Sequence, residues 1–321
     1  MYYLITGGAG FIGSHLVDRL LNDGNDVTVI DDLSTGSIEN IKGHLKNVHF
    51  HFFIESILNK DIVAYLASRC DFIFHLAASV GVKTVLEKPL QSIEINIQGS
   101  RNVFESASRY KKPVLFTSTS EIYGKNEKVP FNEEDDMILG PPSRKRWGYA
   151  CSKALDEFLA FAYAETKSLR VIIVRLFNTV GPRQTERYGM VLPNFIKQAL
   201  SNQPITIFGD GAQTRCFTHV KDAVNAFCKL SHIQAAFGEI INVGGQQEIS
   251  ILKLAQLVKQ FTKSNSPIVF MEPTAVYKDG FEDMNRRVPD VSKLQKLTDF
   301  SPACDIEEII NETVGFYLSS K

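Results

Sequence analysis

The stretch YYLITGGAGFIGSHLVDRLL, residues 2–21, decides the fold of this chain. Its first five residues form an apolar run with a β-branched end, which predicts a strand. The glycines of GGAG at 7–10 then break the run, and apolar residues at helical spacing follow from Phe11 onward. A strand, a tight turn and a helix in this order form the opening of a βα unit.

Three glycines in this turn have distinct physical roles. Gly7, Gly10 and Gly13 have the spacing in which one glycine makes the turn, one lets backbone approach a pyrophosphate, and one lets helix and strand pack closely. The helix N-terminus offers unpaired N–H groups and a positive dipole end to the phosphates. A second strand at 25–30 ends at Asp31-Asp32, where a carboxylate is placed to accept hydrogen bonds from an adenosine ribose. Because this acid would repel a 2′-phosphate, the sequence predicts NAD rather than NADP.

Strands and helices alternate through the first half of the chain. Further strands are predicted at 48–54, 71–76, 113–118 and 170–175, and long helices at 93–110 and 149–166. This alternation predicts an α/β fold with a Rossmann-type, doubly wound parallel sheet. Ligands then lie beyond the carboxyl ends of the strands, and Ser56-Ile57, directly after the third strand, is placed to contact an adenine edge.

The pattern loosens near residue 178. Residues 1–177 are predicted to form the NAD-binding domain, and residues 178–321 a smaller, mixed C-terminal lobe that binds the substrate. Within the second half, residues 216–245 are predicted to return to the first domain.

The composition excludes several classes of protein. The chain has 321 residues, 44% of them hydrophobic, and a formal net charge of −1, without the basic surface expected of a nucleic-acid partner. No apolar run reaches transmembrane length and the first strand begins at residue 2, so neither a membrane segment nor a signal peptide is predicted. The five cysteines are scattered, so we expect no metal site, no disulfide framework and a cytoplasmic location.

Tyr149 and Lys153 lie one helical turn apart, so both side chains point to the same side of a helix. An ammonium group near a phenol favours the phenolate and lowers the phenol pKa from about 10. Such a phenolate is a general base for an alcohol proton at neutral pH. Lys153 can also hold the nicotinamide ribose, and Thr119, at the end of the fifth strand, can orient the same substrate oxygen.

Seven stretches together resemble one enzyme family. They are GGAGFIGSHL at 7–16, DDLSTG at 31–36, HLAA at 75–78, TSTSEIYG at 117–124, YACSK at 149–153, RLFNTVGPRQ at 175–184 and GDGAQTRCFTH at 209–219. With these motifs the chain resembles, nearly end to end, the extended short-chain dehydrogenases/reductases that act on nucleotide sugars. The resemblance implies a tightly held NAD that oxidises the hydroxyl on carbon 4 of the sugar. It also implies a second lobe that grips the diphosphate, with a UDP-sugar as the expected substrate.

The resemblance extends the set of candidate binding residues. Candidate cofactor contacts are Gly7, Gly10, Phe11, Ile12, Gly13, Asp31, Asp32, Ser34, Thr35, Gly36, Ser56, Ile57, Leu76, Ala77, Ala78, Thr117, Tyr149 and Lys153. Candidate substrate contacts are Val80, Asn178, Arg183, Val191, Arg215 and Arg287. By carry-over from the family, Asn178 and Arg215 would contact the diphosphate, and a guanidinium matches phosphate geometry.

Three reactions can follow oxidation at carbon 4. The ketone can be reduced on its other face, which is 4-epimerisation; water can leave across carbons 5 and 6; or a carboxylate on carbon 5 can leave as carbon dioxide. Epimerases of the family usually lack an acid two positions after Thr119. This chain has Glu121 there, placed to move a proton at carbon 5. That residue favours dehydration or decarboxylation.

Ser120 and Arg287 bear on the choice between those two. Dehydratases that act on dTDP-glucose carry an Asp-Glu pair where this chain has Ser120-Glu121, although GDP-mannose dehydratases also lack that Asp. UDP-glucuronate decarboxylases resemble this chain more closely, with a Ser-Glu pair. In the segment 277–290, Arg287 takes the place of an Arg that those decarboxylases carry near the sugar carboxylate, where it would also stabilise charge on an enolate. Arg146-Trp147 resembles the apiose/xylose synthase branch.

Other interpretations stay open. An Arg before a Pro-Asp pair occurs widely in UDP-glucose 4-epimerases as a nucleotide contact. Arg287 could therefore contact the nucleotide in a 4-epimerase of UDP-glucose or UDP-glucuronate. A 4,6-dehydratase is the third possible activity. From other classes, the chain could be an NAD-binding sensor or an oxidoreductase that releases NADH. The Thr119, Tyr149 and Lys153 set argues against a sensor, because a binding protein has no use for an activated phenol.

The helices at 93–110 and 149–166 carry apolar residues beyond those needed to cover the sheet. Relatives pair these two helices into a four-helix interface. The resemblance therefore implies a homodimer.

Overall fold

The computed structural model describes residues 1–81, 87–185, 190–272, 284 and 286–319. Its strands, in chain order, are β1 (Tyr2–Thr6), β2 (Asp26–Asp31), β3 (Phe50–Ile54), β4 (Phe72–His75), β5 (Val114–Thr119), β6 (Val171–Leu176), β7 (Thr179–Val180), β8 (Ile205–Phe208), β9 (Thr214–Cys216), β10 (Thr218–His219), β11 (Ile240–Val243), β12 (Glu248–Ser250) and β13 (Ile268–Met271). Its helices are α1 (Phe11–Asn22), α2 (Lys60–Arg69), α3 (Pro89–Arg109), α4 (Trp147–Lys167), α5 (Val191–Leu200), α6 (Val220–Ser231), α7 (Ile251–Phe261), α8 (Ser292–Thr298) and α9 (Ile306–Ser319). A short 3-10 turn, Ser120–Tyr123, directly follows β5.

Seven parallel strands form the central sheet, in the order β11-β6-β5-β4-β1-β2-β3. The chain runs outward from β1 through β2 and β3, and then restarts on the other side of β1 with β4. The strand order therefore reverses between β1 and β4, and ligands of such sheets bind beyond the carboxyl ends of the strands at this point. The predicted Rossmann-type α/β fold is confirmed.

The central strands are apolar on both faces because helices cover both. All six residues of β5 are buried, as are four of the five in β1. Tyr3 and Ile5 belong to a core that α1, α6 and α8 cover. Leu4 faces a second core, which α2, α3 and α4 cover. Near-continuous apolar runs, rather than strict alternation, are what such doubly covered strands require.

The turn between β1 and α1 leaves no room for side chains. Gly7 has a φ of +75°, a left-handed conformation that favours glycine. A Cβ on Gly13 would lie 2.2 Å from the Gly7 carbonyl oxygen, so α1 approaches β1 this closely only because residue 13 is glycine. No side chain caps the N-terminus of α1 at Gly10. The first N–H groups of α1 are therefore left for a ligand.

After residue 178 the chain builds a separate core. Three short strand pairs, β7–β10, β8–β13 and β9–β12, accompany α5, α7 and α9 around it. Between these elements the chain re-enters the first domain, because α6 packs against α1 and β11 pairs with β6.

Two helix starts differ slightly from the sequence pattern. α3 begins at Pro89, four residues before the predicted start at 93, because proline is tolerated in the first turn, where its missing N–H costs no hydrogen bond. α4 begins at Trp147, two residues before the predicted start. Within the described ranges, no helix is both long and apolar enough to cross a membrane.

Candidate active site

A cleft of about 760 Å³ opens beyond the carboxyl ends of the parallel strands, where the strand order reverses. The predicted cofactor residues on its walls are Gly7, Gly10, Phe11, Ile12, Gly13, Asp31, Asp32, Ser34, Thr35, Ser56, Ile57, Leu76, Ala77, Ala78, Thr117 and Tyr149. The glycine turn, which a single Cβ would fill, and the uncapped start of α1 both border this space. These residues fit a dinucleotide with its pyrophosphate at the helix N-terminus.

The acid at the end of β2 supports the glycine turn as well as facing the cleft. Asp31 Oδ2 accepts a hydrogen bond from the Ala9 N–H at 2.9 Å, and Oδ1 accepts one from the Leu33 N–H at 2.9 Å. Burial raises the pKa of Asp31, although these N–H groups oppose the shift. The Gly10 N–H also hydrogen-bonds to this carboxylate, which leaves one of its about four lone-pair sites for a ribose hydroxyl. Gly36 packs against this carboxylate rather than forming part of the cleft wall.

The predicted catalytic side chains meet at the inner end of the cleft. Thr119 ends β5, the 3-10 turn places Glu121, and α4 places Tyr149; all three border the cleft. The Thr119 side chain hydrogen-bonds with the Tyr149 phenol. Its oxygen also accepts the Glu121 N–H at 3.2 Å. Ser120 is buried behind the cleft wall, and its hydroxyl has no hydrogen-bond partner among the described residues.

The phenol is not activated in the way that the sequence predicts. Burial, and then the Glu121 carboxylate, raise the pKa of Tyr149, and the hydrogen bond with Thr119 only partly opposes them. Lys153 lies inside the protein rather than on the cleft wall. Its ammonium group is 3.9 Å from the centroid of the Phe116 ring and 3.6 Å from Asp156 Oδ2. The predicted lowering of the phenol pKa by Lys153 is therefore wrong, because burial and Glu121 raise that pKa and Lys153 pairs with Asp156.

Glu121 lies between two guanidinium groups. Arg287 Nη2 donates to Glu121 Oε1 at 2.7 Å, and Arg146 Nη2 donates to Oε2 at 3.2 Å. Burial opposes ionisation, but the two arginines outweigh it and lower the pKa of Glu121 to about 2. Two guanidinium groups and one carboxylate therefore meet at the inner end of the cleft. We call these three residues the arginine clamp.

The predicted substrate contacts fall into two groups. Val80, Asn178 and Arg287 border the cleft. Asn178 accepts a hydrogen bond from Arg287 Nη1 at 3.3 Å.

Three other predicted contacts do not form the described cleft wall. Arg183 pairs with Asp18 on α1 at 2.7 Å, Val191 begins α5, and Arg215 is buried and donates to the Thr214 carbonyl at 2.7 Å. Of the segment 277–290, residues 277–283 and 285 lie outside the described residues.

A buried network holds the site elements together. Arg175 on β6 makes a two-pronged ion pair with Glu157 on α4, at 3.1 and 2.8 Å. It also donates to the Tyr123 hydroxyl at 3.0 Å, and Tyr123 donates to Asn242 on β11 at 2.7 Å. The helix that carries Tyr149 and the turn that carries Glu121 are thus both fixed to Arg175 of β6, and the turn is also fixed to β11.

Sequence reasoning did not assign Arg146 to the site, although it singled out Arg146-Trp147. No local sequence pattern places Arg146 near Glu121. Arg146 precedes α4 by one residue, and the packing of α4 on the 3-10 turn brings Arg146 to Glu121.

The model of the NAD dependent epimerase/dehydratase family matches residues 3–244. The chain belongs to this family. Membership in the NAD-dependent epimerase/dehydratase family confirms the resemblance that the motifs indicated, and it makes the protein an NAD-dependent enzyme.

Two curated relatives are similar along nearly the whole chain. A UDP-N-acetyl-alpha-D-glucosaminuronate decarboxylase of Bacillus cytotoxicus is 43% identical over 318 residues, which cover 98% of this chain and 97% of that protein. A UDP-glucuronic acid decarboxylase 1 of Xenopus tropicalis is 35% identical over 314 residues, covering 98% of this chain and 71% of that protein.

Solved structures of the family share the fold. A UDP-glucuronic acid 4-epimerase from Bacillus cereus, in complex with UDP-glucuronic acid and NAD, is 30% identical with a TM-score of 0.90, and all of both chains is covered. A UDP-glucose 4-epimerase from Thermotoga maritima with UDP-glucose is 29% identical with a TM-score of 0.90, covering 100% of this chain and 99% of that one.

Proposed function

We propose that the protein decarboxylates a UDP-linked hexuronic acid, of the UDP-glucuronate type, through a transient 4-keto sugar. The arginine clamp is the observation that carries this proposal. Arg287 in this clamp borders the same cleft as Thr119 and Tyr149, and a guanidinium matches a sugar carboxylate, which a uronic acid supplies and a neutral hexose does not. The decarboxylase relatives support the same reaction.

The clamp suits a reaction at carbon 5. Arg287, which is 7% exposed, would bind the sugar carboxylate with one face while Glu121 holds the other. A guanidinium aligned by an ionised partner keeps a fixed orientation, which is what electrostatic stabilisation of a developing charge requires. Because Glu121 is ionised far below neutral pH, it orients the arginines in this state rather than donating a proton.

The carbon-4 hydroxyl would be handled by Thr119 and Tyr149. The Thr119 hydroxyl orients that oxygen, and Tyr149 takes its proton and later returns it, which requires the raised pKa of the phenol to fall when cofactor and substrate are bound. When bound, NAD supplies a hydride acceptor that gives the hydride back, so the overall reaction is redox-neutral. Once carbon 4 is a ketone, the bond from carbon 5 to the carboxyl carbon breaks, its electrons move toward the carbon-4 oxygen, carbon dioxide leaves, and carbon 5 takes a proton from water.

Incubation with three substrates tests the proposal. UDP-glucuronate, UDP-N-acetylglucosaminuronate and UDP-glucose would each be supplied, followed by mass spectrometry and proton NMR. We expect at least one of the two acids to lose the mass of carbon dioxide, while UDP-glucose is unchanged. Conversion of UDP-glucose with both acids untouched would refute the proposal.

A 4-epimerase of UDP-glucuronate is the second candidate, because the Bacillus cereus relative has the same fold and is named for that reaction. It would also use a positive site for the sugar carboxylate. The same experiment separates the two, since an epimerised acid keeps its mass and changes only its configuration at carbon 4.

We further propose a cytoplasmic homodimer in which the lobe of residues 178–321 binds the nucleotide. Exposed apolar side chains on the adjoining helices α3 and α4 support the dimer: Leu90, Ile93, Leu155 and Phe158. Cell fractionation tests the location, and light scattering tests the assembly.

A further inference from the structure

Lys153 has a buried carboxylate as its nearest counter-charge. Asp156 lies three residues further along α4 and is 0% exposed, while Lys153 is 2% exposed. The Lys153 Nζ to Asp156 Oδ2 distance is 3.6 Å, which is an ion pair but longer than a hydrogen bond. Among the described residues, neither carboxylate oxygen of Asp156 makes a hydrogen bond of normal geometry, although the Ser100 hydroxyl and the Lys153 ammonium lie close enough to stabilise its charge. Burying a carboxylate without full hydrogen bonding costs folding free energy, so a protein that keeps one frequently uses it for function.

Each member of the pair keeps the other charged. Burial raises the pKa of Asp156 to about 6, and the Lys153 ammonium and the Ser100 hydroxyl oppose this shift. Burial lowers the pKa of Lys153, and Asp156 is the first of the groups that oppose it. The two groups therefore titrate as a coupled pair.

Two other ionisable groups around this pair, Glu157 and His75, do not compete for its charges. Glu157 on the same helix pairs with Arg175 on β6. His75 on β4 has its pKa lowered to about 3 by burial and then by Lys153, so it is neutral, and it contacts Thr6 at 2.7 Å and Ser100 on α3 at 3.2 Å. Tyr149 is the remaining group, and the Asp156 charge is among the causes that raise its pKa.

We propose that Asp156 is a positioning residue for Tyr149 and Lys153: its buried carboxylate holds the lysine ammonium and sets the pH range in which Tyr149 works. The inference rests on the proposed function, because it matters only if Tyr149 is the base. Asp156 itself does not border the cleft and so would act through Lys153.

The direction of the effect follows from charge alone. Removing the negative charge of Asp156 makes loss of a proton easier at both neighbours, so the pKa values of Tyr149 and Lys153 both fall. Turnover needs an ionised Tyr149 and a charged Lys153. The acidic limb and the alkaline limb of the pH profile therefore both move to lower pH.

The test is the pH profile of kcat/KM for the Asp156→Asn variant with the accepted substrate. We expect both limbs to move down by roughly 1 pH unit, the size of shift that a close charge produces. Glu165→Gln is the matched control, since Glu165 is an exposed carboxylate on the same helix and its loss should leave the profile unchanged. A purely structural role for Asp156 would lower kcat without moving either limb, and that result overturns the inference.

Ser100→Ala provides a second variant in case Asp156→Asn fails to fold. Without the Ser100 hydroxyl the Asp156 carboxylate is less stabilised and more often protonated, so the profile should move in the same direction by a smaller amount. Carbon-13 NMR of aspartate-labelled, ligand-free protein gives a readout independent of turnover. The Asp156 signal should titrate well above the usual aspartate range and higher still in Ser100→Ala; an ordinary midpoint contradicts the inference.

Tyr149→Phe separates the two proposals. If that variant keeps substantial turnover, the assignment of the base in the proposed function fails. If it is inactive while Asp156→Asn has the wild-type profile, only the role of Asp156 fails.

Discussion

Two guanidinium groups hold Glu121 in its ionised form at the inner end of the cleft. A partly buried carboxylate normally resists ionisation, and here Arg287 and Arg146 reverse that tendency. Removing one partner from such an arrangement leaves uncompensated charge, which costs far more than the intact group contributes. Glu121 therefore helps to fix the orientation of both arginines, and Asn178 adds a second contact to Arg287.

Replacing Glu121 with Gln should stop the reaction and leave the fold in place. The amide keeps the shape but not the charge, so the arginines lose their common partner, and we expect kcat to fall by about 10²- to 10³-fold, the range for loss of one preorganised electrostatic contact to the transition state. Decarboxylation assays measure this, and the NAD content of the purified variant shows whether the fold survives.

Glu127→Gln is the control, because Glu127 is an exposed carboxylate in the loop after the same 3-10 turn. If Glu121→Gln retains near-normal turnover, the clamp has no part in the chemistry, and 4-epimerisation of a neutral sugar becomes the better interpretation.

Residue motifs predicted the part of the site that depends on local spacing and missed the part that depends on tertiary packing. Thr119, Glu121 and Tyr149 follow from short spacings next to predicted strand ends, and the structure brings them together. Helical spacing also predicted Lys153 on the side of Tyr149. Its long side chain instead turns inward to Asp156, because the surrounding core decides which direction it takes. Arg146 reaches Glu121 only through tertiary packing.

The turn between β1 and α1 is the element whose sequence most directly predicts a ligand. Three glycines remove the side chains that would otherwise fill the space between strand, helix and cofactor. This element is predictable because all of its causes lie within a few residues.

Gly13→Ala should abolish tight NAD binding. The added Cβ would lie 2.2 Å from the Gly7 carbonyl oxygen, so α1 must move away from β1 and the phosphate cradle opens. We expect a lower melting temperature and little NAD retained through purification, both readily measured. Gly315→Ala on α9, where a Cβ meets nothing within 4 Å, should be neutral or slightly stabilising; equal NAD retention in the two variants would contradict the cradle.

The outer faces of α3 and α4 expose apolar side chains that a second copy of the chain would cover. Phe158 is 63% exposed, next to the exposed Leu155, in a patch of the kind that a partner covers. Phe158→Glu should shift the protein from dimer to monomer in light scattering. Val48→Glu, which changes a side chain that is 80% exposed away from these helices, should leave the mass unchanged. A wild-type monomer would disprove the dimer.

The strand pairs of the second lobe were not predictable element by element. β7 and β10 have two residues each, and β9 and β12 have three. Strands this short carry no periodicity of their own and exist because distant segments meet. The sequence could therefore indicate only a mixed lobe there.

At the scale of the whole molecule, fold and family agree on an NAD-dependent enzyme, and the proposed reaction uses NAD without consuming it. The cleft extends from the glycine turn to the arginine clamp, so cofactor and sugar would share one continuous space. Such an arrangement favours a hydride that leaves and returns within one catalytic cycle.

Purified protein should therefore carry NAD and turn over substrate with none added. No NADH should accumulate in the near-ultraviolet absorbance during many turnovers, which distinguishes this enzyme from an oxidoreductase that releases its product cofactor. Stoichiometric NADH release would refute the redox-neutral cycle, and NAD binding without any turnover would point to a sensor.

The position of β11 has a consequence for how the protein is made. β11 pairs with β6 through Ile240 to Val243, yet more than sixty residues, most of them belonging to the second lobe, separate the two strands along the chain. While a ribosome is still synthesising that lobe, the rim of β6 has no neighbour on one side and presents open backbone groups to other nascent chains. Truncation after residue 177 would make that exposure permanent, so the first domain is expected to aggregate when expressed alone.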